Sequence, residues 1–465
     1  MRFADQCTIK SGVLEGELIK RVGNALYSEI KNRFPCGKII ICVGLGNNGA
    51  DGKALKDFLD FDENYCVSIF DPLNDRVENF NCDVIVDCLF GTGLNRDIQG
   101  EYKSCVELIN ASKAFVIACD IPSGINGDTG KVMGVAVKAN LTIAVQEYKL
   151  GHFLCDAPSY VGELIKKDVG ITVDEVNTVK RFEDCDAKRF FPKRERNVHK
   201  GCFGKTAIIG GSKNYTGSVI LSLNALCSLK TGVGYSRLIV PESLFSSFVG
   251  KVPECILSTF NDSKTGVMLY SDEMDTILSH DSIAIGMGMG VSESVYQTIK
   301  FLLQNYKGNL LIDADGLNAL AEYGVEILKE KKCKVILTPH VKEFSRLTKK
   351  DKAEILNNPI ENAREFALKF DCIVLLKNAI SVITDGEKVY LNTTGCPAMA
   401  KGGSGDVLSG ISAGLLARKD SALDLITLSA YIFGKAGEIA EAEQNEYTAT
   451  PSDVILALPR VINGL

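Results

Sequence analysis

The sequence predicts an α/β protein of two domains, each with three layers and a mostly parallel sheet. Its 465 residues are about three times the commonest domain length. Short apolar runs without polar alternation are separated by helix-like segments, which is typical of parallel strands covered on both faces. This pattern stops between about Thr172 and Lys200 and then begins again. The interruption indicates a connection between two domains of the same class.

The first series of elements contains four predicted strands and three predicted helices. Buried strands are predicted at 38–44, 65–71, 82–91 and 114–124. Amphipathic helices are predicted at 16–34, 50–61 and 101–112 from the spacing of their apolar residues. The charged connection that follows is expected to contain one short helix.

The second series is longer and ends in segments rich in small residues. Its predicted strands are 205–211, 236–241, 281–288, 309–316, 333–340, 372–377 and 381–392. Helices predicted at 407–417 and 423–443 follow them. We therefore place the two domains at residues 1–186 and 187–465.

Composition excludes several classes of function. The net charge is −6, so the chain has no overall basic footprint for nucleic acid or an anionic membrane. No apolar stretch is long enough to span a bilayer. The sixteen cysteines are scattered without a C-x-x-C pair, as reduced, buried thiols are in cytosolic proteins. We therefore expect a cytoplasmic protein without nucleic-acid or membrane partners.

A glycine-rich turn follows the first predicted strand. Gly44, Gly46 and Gly49 match G-x-G-x-x-G at a strand-to-helix turn, where glycine lets backbone N–H groups approach a phosphate. An ordinary dinucleotide-binding fingerprint fits less well, because Asn48 and Asp51 crowd the phosphate position. A tight turn without a ligand remains the alternative.

Polar side chains also follow the third and fourth strands. Asp87 and Ser123 lie at these strand ends, as Asn48 does after the first strand. The carboxyl ends of neighbouring parallel strands converge on one crevice, so the three side chains are predicted to meet there. Oxygen ligands with a single carboxylate suit a hard, weakly charged cation better than zinc. The alternative is three loop-capping side chains without an ion.

These segments together resemble one known family. GNNGADG at 46–52, DCLFGTGLNRDIQG at 87–100 and DIPSGINGDTG at 120–130 are similar to the YjeF N-terminal domain of the NAD(P)H-hydrate epimerases. The resemblance implies a Rossmann-like domain that interconverts the R and S hydrates of NADH and NADPH at C6. It implies a potassium ion held by Asn48, Asp87 and Ser123, and Asp120 as the catalytic acid/base.

The resemblance also implies which residues line the pocket for the hydrated nucleotide. They are Asn47, Asn48, Gly49, Ala50, Asp51, Gly91, Thr92, Gly93, Leu94, Asn95, Arg96, Asp97, Tyr102 and Asp120. The chain departs from the family at Ala50, where glycine is usual. It also lacks the lysine that some relatives carry near residues 70–72, so the second proton-transfer group is not identified.

A second glycine-rich turn precedes the predicted helix at 407–417. Gly402, Gly403 and Gly405 expose backbone N–H groups that can form an anion hole, and Asp406 places a carboxylate beside it. Phosphoryl transfer to a hydroxyl requires such an anion hole with a base next to it. A helix with an acidic N-terminal turn and no ligand is the alternative. The G-x-G-D arrangement resembles the ribokinase-like superfamily.

The order of motifs around this turn resembles the NAD(P)H-hydrate dehydratase branch of that superfamily over about residues 187–465. The resemblance implies Asp406 as the catalytic base, and contacts to the hydrate from Gly288, His340, Val341, Lys342, Glu343, Phe344, Ser345, Arg346 and Asp406. It implies contacts to ADP or ATP from Lys377, Asn378, Ala379, Ile380, Ser381, Cys396, Pro397, Ala398, Met399, Ala400, Lys401, Gly402, Gly403, Ser404 and Gly405. The asparagine-proline-glycine usual in the family is Cys396-Pro397-Ala398 here. Magnesium is expected from phosphoryl chemistry, without an identifiable ligand.

The predicted function is therefore bifunctional repair of hydrated coenzymes: epimerisation of the two hydrates and dehydration of the S hydrate at the expense of ADP or ATP. Two alternatives stay open. G-x-G-D alone also fits a kinase of a small alcohol or vitamin precursor. The N-terminal domain could also bind nicotinamide nucleotides without catalysis. We further expect a homo-oligomer.

Overall fold

The structure is a computed structural model that describes residues 8, 12–172, 179–227, 231–251, 253–262 and 272–465. Contacts between residues divide the chain into two compact units, Met1–Asn177 and Thr178–Leu465. Within the described ranges, no helix is both long and apolar enough to cross a membrane.

The first unit is a three-layer α/β domain. Its elements are α1 (Glu15–Arg33), β1 (Gly37–Val43), α2 (Asn47–Asp60), β2 (Tyr65–Phe70), β3 (Val84–Cys88), α3 (Gly100–Ala111), β4 (Phe115–Cys119), β5 (Leu141–Val145) and β6 (Glu163–Lys167). The strands form a parallel sheet in the order β2-β1-β3-β4-β5-β6. Ile39 and Ile41 pack with α1 and α2 on one face, whereas Cys42 and Ile85 pack with α3 on the other.

The four strands and three helices predicted for this unit are present, but β5 and β6 were not predicted. β5 follows a long irregular connection instead of a helix, so the alternation of helix and strand is broken before it. β6 is an edge strand with the sequence ELIKK, in which charged residues mask the apolar signal.

The second unit begins with two elements inside the predicted connection, β7 (Val179–Arg181) and α4 (Asp184–Lys188). After the connection come β8 (Lys205–Ile209), α5 (Thr216–Cys227), β9 (Tyr235–Pro241), α6 (Phe245–Phe248), β10 (Ile256–Phe260) and β11 (Ser282–Ile285). It continues with α7 (Glu293–Asn305), β12 (Asn309–Ile312), α8 (Ala314–Tyr323), β13 (Lys334–Leu337), α9 (Val341–Thr348), α10 (Lys352–Asn357), α11 (Pro359–Phe370) and β14 (Ile373–Leu376). Its last elements are β15 (Ser381–Thr384), β16 (Val389–Asn392), α12 (Ser404–Leu415), α13 (Ala422–Glu443) and α14 (Pro451–Gly464).

The ten strands of this unit form one mixed sheet in the order β10-β9-β8-β11-β12-β13-β14-β15-β16-β7. β14, β15 and β16 pair antiparallel, and the remaining pairs are parallel. One face packs on α5, α12, α13 and α14 through residues such as Leu311 and Ile336. Ile285 and Ile312, which alternate with them along the strands, are also fully buried.

The structural division between the units differs from the sequence-based boundary at 186/187. β7 pairs with β16 in the second sheet, so residues 179–186 belong to the second unit. A three-residue strand is too short to show a hydrophobic period, which explains the difference. The short helix predicted in the connection corresponds to α4, whereas residues 173–178 of the connection lie outside the described residues.

Candidate functional site

The first unit contains a cavity of about 590 Å³ at the carboxyl ends of its strands. Most residues predicted to line the nucleotide pocket lie on it: Asn47, Asn48, Asp51, Gly91, Thr92, Gly93, Leu94, Asn95, Arg96 and Asp120. The crevice above a parallel sheet is where such folds bind ligands. The structure therefore brings together the three strand-end segments that the sequence analysis selected.

Four of the predicted residues do not line the cavity. A Cβ on Gly49 would lie 1.9 Å from the carbonyl oxygen of Gly44, so Gly49 allows the turn to close instead of facing the pocket. Ala50 is half-buried on α2, and Asp97 is exposed. The Tyr102 ring packs on Phe90 with 4.8 Å between centroids. Tyr102 thus supports a residue of the cavity wall.

The structure adds residues that the sequence analysis missed. The first is an apolar face of α1 formed by Leu18, Ile19 and Val22, and the second is Lys149. The amphipathic pattern of α1 could have indicated a covering face, although not what it covers. Lys149 follows β5, a strand that was not predicted, so no pattern placed it at a strand end.

Asp120 is held in an unusual backbone conformation. Its φ is 67°, in the left-handed region, which costs a residue other than glycine about 1–3 kcal/mol. Its N–H donates to the carbonyl of Ile143 at 2.9 Å, and its Oδ1 accepts from the amide of Val145 at 3.0 Å. Strain of this kind at a cavity wall is typical of a functional position.

Asp120 is also in contact with the buried ammonium of Lys149. Lys149 Nζ donates to the Asp120 carboxylate and to the carbonyl of Val145, the latter at 2.8 Å. The ring of His152 joins them, since its Nδ1 accepts from the Lys149 amide at 3.1 Å and its Nε2 lies 2.7 Å from the Asp120 carbonyl. Burial lowers the pKa of His152 to about 4. His152 is therefore a neutral ring with its proton on Nε2 that fixes the backbone of both residues.

Two of the three predicted potassium ligands, Asp87 and Ser123, are in direct contact, and the third, Asn48, is buried in the first turn of α2. Asp87 is fully buried, and burial raises its pKa to about 6. Its oxygens accept from the amide and the hydroxyl of Ser123 at 2.8 and 2.6 Å. The side-chain amide of Asn48 is buried, and neither of its polar atoms has a hydrogen-bond partner. A carboxylate and an unpartnered amide oxygen form a donor set that fits a hard monovalent cation.

In the second unit, Asp406 lies in the first turn of α12, after the glycine-rich turn. The hydroxyl of Ser218, in the first turn of α5, donates to Asp406 Oδ1 at 2.5 Å. Burial raises the pKa of Asp406 above its ordinary value, which moves the carboxylate toward the basicity of a general base at neutral pH. The N-termini of α5 and α12 therefore meet at the predicted catalytic aspartate.

Gly288 is packed against the same α5 terminus. Its φ is +64°, and a Cβ there would lie 2.8 Å from the Cβ of Tyr215 and 3.0 Å from that of Ser218. Only glycine permits this approach. The predicted hydrate-contacting Gly288 and the predicted base Asp406 are thus connected through Ser218.

A buried ion pair lies beside the glycine-rich turn. Lys377 Nζ is 2.9 Å from Asp313 Oδ1, and Ser409 of α12 donates to Asp313 Oδ2 at 2.6 Å. A Cβ on Gly405 would lie 3.6 Å from Lys377 Nζ. The ammonium of Lys377, predicted as a nucleotide contact, is therefore positioned next to the turn by an aspartate at the end of β12, two strands away from β14 in the sheet.

His340 and Glu343 form the N-terminus of α9. His340 Nδ1 accepts from the amides of Lys342 and Glu343, and the Glu343 carboxylate accepts from the His340 amide at 2.9 Å. Burial lowers the pKa of His340 and raises that of Glu343 to about 7. A backbone bridge pairs His340 with Lys377, so α9 begins beside the ion pair.

The other residues predicted to contact the hydrate lie on α9 in different surroundings. Phe344 is fully buried and packs on Phe366 at 5.4 Å between ring centroids, so its side chain belongs to the core. Arg346 donates to Asn318 at 2.6 Å on the surface. Val341 and Ser345 are half-buried and Lys342 is exposed.

The predicted nucleotide segment 396–405 is a loop held by α13 and by the segment before α14. The amide of Ala398 donates to Glu441 at 2.9 Å, and Lys401 Nζ donates to the carbonyl of Tyr447 at 2.7 Å. Gly403 caps α12 with a φ of +97°. In the hairpin after β14, Asn378 and Ala379 are exposed, and Ile380 and Ser381 are half-buried.

An aspartate beside a glycine-rich helix N-terminus, at the edge of a mostly parallel sheet, defines the second unit as a ribokinase-like domain. Residues 206–460 match a family model described as NAD(P)H-hydrate dehydratase, and residues 68–151 match the YjeF-related protein N-terminus. The ADP/ATP-dependent NAD(P)H-hydrate dehydratase from Bacillus subtilis, co-crystallized with ATP and Mg²⁺, is 26% identical with a TM-score of 0.53, covering 62% of this chain and 98% of that one.

Full-length relatives combine both domains. A bifunctional NAD(P)H-hydrate repair enzyme Nnr from Thermofilum pendens is 33% identical over 98% of this chain and 93% of its own length. One from Dictyoglomus turgidum is 32% identical over 96% of this chain and 93% of its own. The chain belongs to the family of bifunctional NAD(P)H-hydrate repair enzymes.

Proposed function

We propose that this chain repairs hydrated NADH and NADPH through two activities. The first unit interconverts the R and S hydrates, and the second removes water from the S hydrate at the expense of ADP or ATP. The observation that carries the dehydratase assignment is the meeting of Asp406, Ser218 and Gly288 at the glycine-rich N-terminus of α12. The strained Asp120 in the cavity of the first unit supports the epimerase assignment.

The chemistry of the second unit follows from what dehydration needs. Hydroxide is a poor leaving group, so the hydroxyl at C6 must first be activated. Asp406 takes the hydroxyl proton, and the terminal phosphoryl group of the nucleotide is transferred to that oxygen. The C6–O bond then breaks as phosphate leaves, and loss of a proton from C5 forms the C5–C6 double bond of the dihydronicotinamide. The N–H groups of α12 and the ammonium of Lys377 stabilise charge on the phosphoryl group.

The other residues that the family resemblance implies as ligand contacts are assigned to the hydrate or to the nucleotide. The start of α9 at His340 and the face around Gly288 hold the hydrate, and the loops at 377–381 and 396–405 hold the adenine nucleotide. Magnesium accompanies the nucleotide. A cytoplasmic location and assembly into a homo-oligomer remain our expectations from the sequence.

Potassium fits the first unit. Asn48, Asp87 and Ser123 would hold it, and its charge would stabilise the Asp87 carboxylate and fix the three strand ends that form the cavity. The unpartnered, buried amide of Asn48 is the observation that supports this assignment.

The competing function is a kinase of a small alcohol with a non-catalytic N-terminal domain. Both functions would place a base at Asp406, so the site geometry alone does not separate them. The two hydrates can be mixed with ADP or ATP and the absorbance followed at 340 nm. Full recovery of NADH supports both activities, recovery of half supports the dehydratase alone, and no recovery supports the kinase.

The assignment of Asp406 has a direct test. Asp406→Asn removes the base while keeping the shape of the side chain, so NADH regeneration from the S hydrate should fall by about 10²–10⁴-fold. Asp420→Asn is the matched control, because Asp420 pairs with Arg418 at the surface of the same unit. Undiminished regeneration by the Asp406→Asn protein would contradict the assignment.

A further inference from the structure

The first unit presents two proton-transfer groups in direct contact, and this contact restricts the epimerisation chemistry. The Lys149 ammonium touches the Asp120 carboxylate, and both side chains line the cavity. The side chain of Lys149 is 7% exposed and that of Asp120 is 17% exposed. The pair is therefore shielded from bulk water while it remains open to a ligand in the cavity.

The surrounding contacts orient the pair and do not compete with it for protons. Lys149 Nζ has one further acceptor, the Val145 carbonyl, and an ammonium has three protons to donate. His152 hydrogen-bonds to the backbone of the two residues, and its pKa of about 4 keeps the ring neutral. Asp120 and Lys149 therefore form an acid/base pair in direct contact that faces a ligand in the cavity.

Two routes can invert C6 of a 6-hydroxy-tetrahydronicotinamide. In the first, the C6–O bond breaks and water returns to the opposite face of a flat cation, which calls for an acid on one face and a base on the other. In the second, the C6–N1 bond breaks. This route requires proton transfers at two neighbouring atoms, the hydroxyl oxygen and N1, and two groups in contact can reach both from one side.

Building on the epimerase function proposed above, we propose that Lys149 is the second proton-transfer group and that, with Asp120, it opens and recloses the C6–N1 bond. The Asp120 carboxylate takes the hydroxyl proton, the O–H electron pair forms the C6 carbonyl, and the C6–N1 electron pair goes to N1. N1 takes a proton from the Lys149 ammonium. The open form is an aldehyde with a secondary enamine nitrogen, beside a neutral carboxyl and a neutral amine.

Rotation about the C5–C6 bond presents the other face of the aldehyde. N1 then attacks C6 and returns its proton to Lys149, and the oxygen takes the proton back from Asp120. All atoms and charges are restored, and no water or other reactant is consumed. The contact between Lys149 and Asp120 suits this cycle because each group starts and ends it with its original charge.

The test follows conversion of the purified R hydrate to the S hydrate without adenine nucleotide, so that the second unit cannot remove water. Lys149→Arg keeps the positive charge beside Asp120, but a guanidinium does not give up its proton. Lys149→Met removes the charge. Both variants should lose about 10²–10⁴-fold in kcat above the spontaneous rate. Lys166→Met is the control, because Lys166 pairs with Glu147 at the surface of the same unit.

Three readouts keep the outcomes distinct. A wild-type chain that does not exceed the spontaneous rate contradicts the proposed epimerase function itself. A fast wild type with an equally fast Lys149→Arg protein contradicts only the role of Lys149. Dehydration of the S hydrate by the same variants, together with their thermal unfolding curves, reports whether each unit is folded.

Two further measurements test the proposal, and the first uses only the wild type and so does not require any variant to fold. In water enriched in ¹⁸O, the wild type should produce the S hydrate with far less than one solvent oxygen per conversion. Incorporation of one solvent oxygen per conversion would show C6–O cleavage and overturn the proposal. For a folded Lys149→Ala protein, added methylammonium should raise the epimerisation rate at least about tenfold. A lysine with a purely structural role would not give this increase.

Discussion

Asp120 follows β4 and lines the cavity of the first unit, whereas Asp406 follows the glycine-rich turn and lies in the first turn of α12. The groups around the two aspartates suit different chemistry. Asp406 accepts a hydrogen bond from the Ser218 hydroxyl, and burial raises its pKa. Asp120 instead contacts the ammonium of Lys149. A single buried carboxylate suits removal of one proton from a hydroxyl, whereas a carboxylate paired with an ammonium suits a cycle in which one proton is taken as another is given.

Ser218 is a positioning residue, and its removal should change the pH dependence of dehydration. Burial, Asp313 and Asp315 raise the pKa of Asp406, and Lys377 lowers it. The hydrogen bond from Ser218 also lowers this pKa, because it stabilises the charged carboxylate. Without the hydroxyl, the pKa of Asp406 should rise further, so more of the base is protonated in mild acid. We expect the acidic limb of the kcat/KM profile of Ser218→Ala to move to higher pH, with about tenfold lower activity at pH 6.

The control for this prediction is Ser218→Thr, which keeps a hydroxyl in the same position. Its pH profile should resemble that of the wild type. A profile of Ser218→Ala that loses height equally at every pH would show that Ser218 shapes the site without influencing the charge of Asp406.

Potassium should stabilise the first unit through Asp87. Burying a carboxylate without a countercharge is costly, and a bound cation offsets this cost. Replacing sodium with potassium should raise the melting temperature of this unit by about 2–4 °C for each kcal/mol of binding free energy. Asp87→Asn should abolish the dependence while leaving the potassium-free protein at least as stable. An equal response to potassium in the wild type and in Asp87→Asn, measured by scanning calorimetry, would place the ion elsewhere.

At the scale of elements, the sequence predicted what hydrophobic period and length can encode. β1, β3 and β4 are short buried runs next to predicted helices, so their ends and the polar residues at those ends could be found. β7, β10 and the edge strand β6 could not, because three to five residues with polar neighbours carry no clear period. Lys149 was missed because it follows β5, which comes after a long irregular connection and was not predicted.

The sequence pattern also did not predict which side chains on distant elements are in contact. Ser218 meets Asp406 because two helix N-termini converge, and Lys377 faces Asp313 because β14 and β12 end at one edge of the sheet. Such convergence depends on strand order, which a single sequence does not reveal. The packing of α9 also places the Phe344 ring in the core, which its position in a motif did not indicate.

The turn before α12 gives a prediction with a closely matched control. Gly403 has a φ of +97°, and a Cβ there would lie 2.5 Å from Leu221 Cδ1, whereas nothing lies within 4 Å of a Cβ on Gly402. Gly403→Ala should therefore strain the turn by about 1–3 kcal/mol and misplace the N–H groups that we propose to hold the nucleotide. We expect its KM for ADP to rise by about tenfold, and that of Gly402→Ala to remain near the wild-type value. Similar KM values for the two variants would show that the φ of Gly403 does not control nucleotide binding.

At the scale of the whole molecule, the chain carries two sites with separate chemistry, one in each compact unit. Asp120→Asn should leave dehydration of the S hydrate intact, so a mixture of hydrates regains about half of its NADH quickly and the rest at the spontaneous rate of epimerisation. Asp406→Asn should epimerise the hydrates but regain almost none.

Mixing the two variant proteins tests whether the sites must belong to the same chain. Each variant retains one intact unit, and a hydrated nucleotide released by one protein can diffuse to the other. Equal amounts of Asp120→Asn and Asp406→Asn should therefore restore full and rapid recovery at 340 nm, at a rate that rises with total protein concentration. Recovery that stays at half in the mixture would show that the Asp406→Asn protein does not release S hydrate to solution. Epimerisation by the first unit would then depend on an intact second unit, which would contradict two independent sites.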